Sequence, residues 1–120
     1  MTVLVVEDHA DIREMLSLAL ARKAYAIAEA ADTNAGLERL RRGGVDLVIT
    51  DLTMPGGGGR AILAAARALP DPPPVLLVTG SVEGDLAPDL MAAGAAACFQ
   101  KPFNLRDIVA EVGRQLGRCE

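Results

Sequence analysis

Aromatic residues are almost missing from this 120-residue chain: it has no Trp, and Tyr25, Phe99 and Phe103 are the whole complement. Its core must therefore be assembled from aliphatic side chains. Cysteine is just as scarce. Cys98 and Cys119 form neither a CxxC pair nor a Cys/His cluster, which argues against a disulfide framework or a structural zinc site and leaves two free thiols of a cytosolic protein. His9 is the single histidine, so no pair of catalytic histidines is available. Long hydrophobic runs are absent too. None approaches the roughly 20 residues that span a bilayer, and Glu7, Asp8 and Asp11 interrupt the start before a signal-peptide apolar region can form. Positive charge is in the minority, with 12 Lys and Arg against 16 Asp and Glu and a net charge of −4. Direct binding of nucleic acid or of an anionic membrane is therefore not expected.

Apolar residues make up 51% of the chain, enough for one domain over residues 1–120 with its own core. They are arranged in five short runs, residues 2–6, 25–30, 47–50, 75–79 and 96–100, separated by amphipathic segments. The first segment, "DIREMLSLALARK", has Ile12, Met15, Leu16, Leu18 and Leu20 as a helical stripe. The second, "TNAGLERLRRGG", has Asp32 or Thr33 as its cap and is ended by Gly43 and Gly44. "GRAILAAARALP" is alanine-rich and is stopped by Pro70. "GDLAPDLMAAG" is a weaker helix, because Pro88 is accommodated only in a first turn. "LRDIVAEVGRQLG" follows Asn104 as cap and carries Leu105, Ile108, Val109, Val112 and Leu116 as its stripe. Strict alternation of strand and helix predicts (βα)5, an α/β fold with a parallel sheet between two helix layers. It also explains why the strands are continuously apolar.

Open sheets of this kind place their sites at the carboxyl ends of the strands. Those ends offer Glu7 and Asp8 in "VLVVEDHADIR", Asp51 in "VITDLTMPGGGG", Thr79 in "LLVTGS" and Lys101 in "FQKPF". Each alone has an ordinary explanation: a turn, a helix start, a strand hydroxyl, a surface lysine. Together they form a set. Three converging carboxylates repel unless a cation lies among them, and oxygen donors favour Mg²⁺ or Mn²⁺. A lysine and a threonine hydroxyl are what the oxygens of a phosphoryl group require, and a carboxylate is able to act as the nucleophile.

With these motifs in this order, the chain resembles the receiver domain of two-component response regulators over essentially its whole length. The resemblance implies a flavodoxin-like three-layer sandwich with strand order 2-1-3-4-5 and phosphorylation at Asp51. It implies Mg²⁺ held by Asp8, Asp51 and the backbone carbonyl of Thr53, with Glu7 acting through water. Thr79 and Lys101 would hold phosphoryl oxygens, and the Lys101–Pro102 peptide would be cis. The implied donor is a histidine kinase or a phosphotransfer protein. The implied output is a switch on the face of the fourth helix, fifth strand and fifth helix, which contacts a downstream protein and in similar domains also forms homodimers on activation. The chain itself would be a phosphoacceptor that assists its own phosphorylation and slow dephosphorylation, not an enzyme, and it would be cytoplasmic.

Three departures from the family pattern stand out. "MPGGGG" replaces the usual "MPGMDG", which reads as a surface loop made unusually mobile by four glycines. Cys98 stands three residues before Lys101, where similar receivers have Tyr or Phe. Phe99 next to it belongs to the opposite face of the strand. Cys98 is read as a packing residue, and the inward swing of a ring as lost or weakened, leaving Thr79 and the loop before the fourth helix to carry the switch. Thr53 and Ser81 are small and polar, so no steric shield over the phosphate is evident. His9 is read as an exposed loop residue in preference to a metal ligand.

Two other functions compete. Aspartyl-phosphate phosphatases place a second acid two residues after the nucleophile, whereas here the stretch is Asp51-Leu52-Thr53. A phosphorylation-independent pseudo-receiver scaffold normally lacks one of the core residues, and all are present. With Glu120 ending the sequence soon after the last helix, no output domain is expected within these residues. The chain reads either as a stand-alone receiver or as the receiver of a longer protein such as a hybrid histidine kinase, whose receivers the "LLVTGS" and "FQKPF" stretches resemble.

Overall fold

A computed structural model describes residues 1–80 and 86–117 of the chain. Ser81, Cys119 and the first residues expected in the fourth helix (84–85) lie outside the described residues. Strands and helices alternate as β1 (Thr2–Val6), α1 (Ala10–Ala21), β2 (Ala26–Ala30), α2 (Thr33–Arg41), β3 (Leu47–Asp51), α3 (Gly58–Arg67), β4 (Val75–Thr79), α4 (Leu86–Ala92), β5 (Ala97–Gln100) and α5 (Leu105–Gln115). All four strand pairs are parallel, and the sheet order is β2-β1-β3-β4-β5. This is the flavodoxin-like order that the resemblance implies. Three strand boundaries differ by one residue from the sequence reading. The β2 strand starts at Ala26, β3 runs on to Asp51, which pairs with Val78, and β5 starts at Ala97.

Period-two alternation divides the sheet's side chains between two cores. Leu4, Val6, Val48, Val75 and Leu77 face α2 and α3 and meet Leu40, Ile62, Leu63 and Ala66. On the other face Val3, Val5, Leu47, Ile49, Leu76 and Val78 meet Leu16 and Leu20 of α1 and Ile108 and Val112 of α5. The central strands β1 and β3 are buried along nearly their whole length, whereas β2, at the edge, is largely half-buried or exposed.

Helix ends follow local chemistry. Asp32 caps α2 by accepting from the Ala35 amide at 2.7 Å, and Asn104 caps α5 by accepting from the Arg106 amide at 2.9 Å. The α1 stripe needs correction. Leu16 and Leu20 are buried and Ile12 packs beside them, but Met15 and Leu18 are exposed. The reason is geometric: at 3.6 residues per turn, positions 12, 16 and 20 share the inner face and 15 and 18 fall outside it. In α5 the expected stripe holds, with Leu105, Val109 and Leu116 packed around the buried Ile108 and Val112. Among the described residues, no helix is long and apolar enough to cross a membrane.

Candidate functional site

The site is assembled by the strand order. Glu7 and Asp8 follow β1, Asp51 ends β3, Thr79 ends β4 and Lys101 follows β5, so all arrive at one edge of the sheet. Neighbouring strands are about 4.8 Å apart, which puts β5 two spacings from β3 and three from β1. Only a long side chain covers that distance. Lys101 does so: its Nζ lies 3.4 Å from Asp51 Oδ2 and 3.5 Å from Glu7 Oε1. Both carboxylates are buried, and Asp8 is more open beside them. The Lys101 amide donates to Thr79 O at 2.7 Å, which ties the lysine's backbone to the tip of β4. The Lys101–Pro102 peptide is cis, in agreement with the resemblance.

Glu7, Asp8, His9 and Asp51 each bring a donor atom into a group whose members lie within 4.8 Å of one another. Lys101 alone does not offset three carboxylates, and a buried excess of negative charge is unfavourable. The oxygen donors and the surplus charge both fit Mg²⁺ or Mn²⁺. Glu7, Asp8 and Asp51 are the carboxylates of this group, and their oxygens could hold such an ion. The part of Thr53 that the sequence reading assigns is its carbonyl, and its side chain is exposed.

His9 is exposed, as expected, yet its ring is not idle. Nδ1 lies 3.0 Å from Glu7 Oε2 and 3.3 Å from Asp8 Oδ1. The hydrogen bond to Glu7, then the charges of Asp8 and Glu7, raise the imidazole above its ordinary 6.5. Arg13 is a site residue that the sequence reading did not single out. Its guanidinium donates to the Glu7 carbonyl at 2.8 Å and lies 3.4 Å from Glu29 on β2, holding the end of β1. Its spacing was the available signal, since a residue four after the helix-starting His9 returns to the same side.

Cys98 lies opposite Leu77 and packs with the α2/α3 core, whereas Phe99 belongs to the α1/α5 core. The alternation predicted from sequence is therefore present, and Phe99 does not take the place of a ring at 98. Burial pushes the Cys98 thiol up, which suits a packing residue better than a reactive one.

The glycine stretch is a surface loop only in its first half, at the exposed Gly56 and Gly57. Gly58 and Gly59 are buried, and the Gly59 amide donates to Leu52 O at 3.0 Å. Gly58 has φ +58°, and a Cβ on it would stand 2.2 Å from Leu52 O. Only glycine permits the start of α3 to lie directly on the backbone that follows Asp51.

A comparison with protein families matches residues 3–113 to the response regulator receiver domain. Among curated proteins, the response regulator receiver protein CpdR of Brucella abortus is 31% identical over 114 residues, covering 95% of each chain. The response regulator protein FleR of Pseudomonas aeruginosa is 37% identical over 112 residues, but this chain spans only 24% of its length. Among solved structures, the chemotaxis response regulator CheY4 of Vibrio cholerae superposes with a TM-score of 0.86 at 29% identity, covering 96% of this chain and 98% of that one. The Francisella response regulator 1452 receiver domain gives 0.89 at 19% identity, a likeness of fold, over 97% and 96%. Family match, near full-length relatives and the strand-end cluster agree: this chain belongs to the response regulator receiver domains of two-component systems.

Proposed function

We propose that Asp51 is the phosphoacceptor of this receiver and that the phosphoryl group comes from a histidine kinase or a phosphotransfer protein. The observation that carries this reading is the position of Lys101 Nζ, 3.4 Å from Asp51 and 3.5 Å from Glu7, beside Asp8. An Asp51 carboxylate oxygen attacks phosphorus, the P–N bond to the donor imidazole breaks, and the imidazole leaves with its electron pair and takes up a proton. Lys101 moves its hydrogen bonds from carboxylate to phosphoryl oxygen, and the Thr79 hydroxyl donates to another. Glu7, Asp8, Asp51 and the Thr53 carbonyl would hold Mg²⁺ or Mn²⁺, which supplies charge neutralisation for the phosphoryl oxygens.

The chain acts as substrate and as helper in its own phosphorylation and slow dephosphorylation, not as an enzyme turning over a separate substrate. The added charge biases a two-state equilibrium, read out by a partner on α4, β5 and α5. Since this chain spans about half or less of several curated relatives, the partner is either a separate protein or an attached output or kinase domain. The cytoplasm is where such a donor would reach it.

The test is intact mass after incubation with acetyl phosphate, with and without Mg²⁺, on this chain and on Asp51→Asn. One Mg²⁺-dependent phosphoryl adduct, lost in the variant, supports the reading. No adduct with any metal would make the chain a phosphorylation-independent scaffold.

A further inference from the structure

The start of α3 has no cap of its own. Gly57 occupies the N-cap position with φ +105° and offers no side chain. An uncapped helix start leaves amide donors unsatisfied, and here the first of them, on Gly58, is buried. The missing acceptor comes from a different helix. Thr33, at the start of α2 and fully buried, accepts from the Gly58 amide at 3.1 Å through its Oγ1. The same hydroxyl donates to the Pro55 carbonyl at 2.8 Å. One hydroxyl, used once as donor and once as acceptor, therefore closes the 55–58 turn from outside. The contact is close: a Cβ on Gly56 would lie 3.3 Å from Thr33 Cβ.

This turn is not remote from the chemistry. Through Gly58 and Gly59 it packs on the Leu52–Thr53 backbone, with the Gly59 amide on Leu52 O and no room for a Cβ at Gly58. Fixing Gly58 therefore fixes the Leu52–Thr53 peptide, directly before the Thr53 carbonyl. We propose that Thr33 is a positioning residue: its hydroxyl caps α3 from the neighbouring helix and so aims the Thr53 carbonyl at the cation beside Asp51. The inference rests on the function proposed above and adds a residue to it. It also bears on the glycine run, since a side chain at 56 would crowd Thr33 and one at 58 would force the backbone off Leu52 O.

The experiment compares the chain with Thr33→Val, which keeps the volume and removes the hydroxyl, and with Thr33→Ser, which restores the hydroxyl. Mg²⁺ affinity is read by calorimetric titration and Gly58 protection by amide hydrogen exchange. The expectation for Thr33→Val is loss of Gly58 protection and a Mg²⁺ affinity weaker by about tenfold, the lower end for supporting groups around metal sites. Thr33→Ser should recover both. In acetyl phosphate reactions the valine variant should need more Mg²⁺ yet reach the same rate at saturation. Asp32→Ala, which removes the cap of α2 alone, should lower the Tm and leave Mg²⁺ affinity unchanged. If the valine variant does not fold, Thr33→Cys, a much poorer hydrogen-bonding group, gives the same comparison. Unchanged Mg²⁺ affinity despite lost Gly58 protection would overturn the proposal and leave a purely structural cap. So would failure of serine to restore the affinity. An unaltered chain that binds no Mg²⁺ would overturn the proposed function itself and this inference with it.

Discussion

Lys101 reaches across β4 to Asp51, Nζ to Oδ2 at 3.4 Å, while its own amide is fastened to Thr79 at the tip of the strand it crosses. The geometry makes Lys101 a counter-ion in the resting site, and the proposed function adds a second role, as donor to a phosphoryl oxygen.

Lys101→Met should separate these roles. Removing one fixed donor to a developing oxyanion typically costs about 10²–10³ in rate, so phosphoryl uptake from acetyl phosphate should fall by about that factor. Mg²⁺ affinity should rise, because the ammonium no longer competes for Glu7 and Asp51. Calorimetric titration and timed intact-mass measurements check the pair. A variant with normal uptake would remove Lys101 from the chemistry.

Binding of the cation should stabilise the fold. A ligand at 100 times its Kd adds about 2.7 kcal/mol, which in a domain of this size raises the Tm by roughly 10 °C. The rise should be seen with Mg²⁺ or Mn²⁺, vanish on chelation, and be largely lost in Asp8→Asn. Thermal denaturation with and without EDTA is the measurement.

Two glycines should respond very differently to alanine. At Gly58, φ is +58° and the new Cβ would meet Leu52 O at 2.2 Å, so backbone must move. Gly43 has φ +77° and nothing within 4 Å of a Cβ. Gly43→Ala should cost about 1 kcal/mol, the left-handed penalty alone. Gly58→Ala should cost about 3 kcal/mol or more and also weaken Mg²⁺ binding. Urea midpoints rank the two.

Glu111 gives α5 a pH response. Burial pushes its carboxyl up, but hydrogen bonds from Gln115 and Arg114 and the charge of Arg114 outweigh this and hold it below the ordinary 4.5. A carboxylate depressed in the folded state stabilises the fold above its unfolded pKa and loses that contribution as pH falls through the folded pKa. Tm should therefore fall as pH drops below about 4.5, and Glu111→Gln should flatten the profile there. An equal slope in both would discount the interaction.

Cys98 is the place to test the switch. Cys98→Ala should cost about 1 kcal/mol or less and leave both phosphoryl uptake and the phosphorylation-induced shift of the Thr79 amide resonance intact. Loss of that shift would show that residue 98 carries the transition in spite of its small side chain.

Much of this molecule is legible in its sequence. Five apolar runs alternating with helical stripes specify a parallel sheet, because period and continuity of burial are local properties of the chain. The strand-end rule then picks out Glu7, Asp8, Asp51, Thr79 and Lys101 without knowledge of their distances. Capping by Asp32 and Asn104 was readable for the same reason, since each acts within three residues. What the sequence misjudged was whatever depends on packing. Met15 and Leu18 look like core residues by composition, and only the orientation of α1 on the sheet leaves them exposed. The glycine run looks loose by entropy, yet Thr33, 25 positions before Gly58 in the chain, holds it. No local pattern announces a cap supplied by another helix. The sequence by itself determined the fold class, the family and the set of residues that meet at the strand ends. The tertiary structure alone decided which side chain supports which backbone, because such contacts arise only after strands distant in sequence have paired and brought α2 against α3.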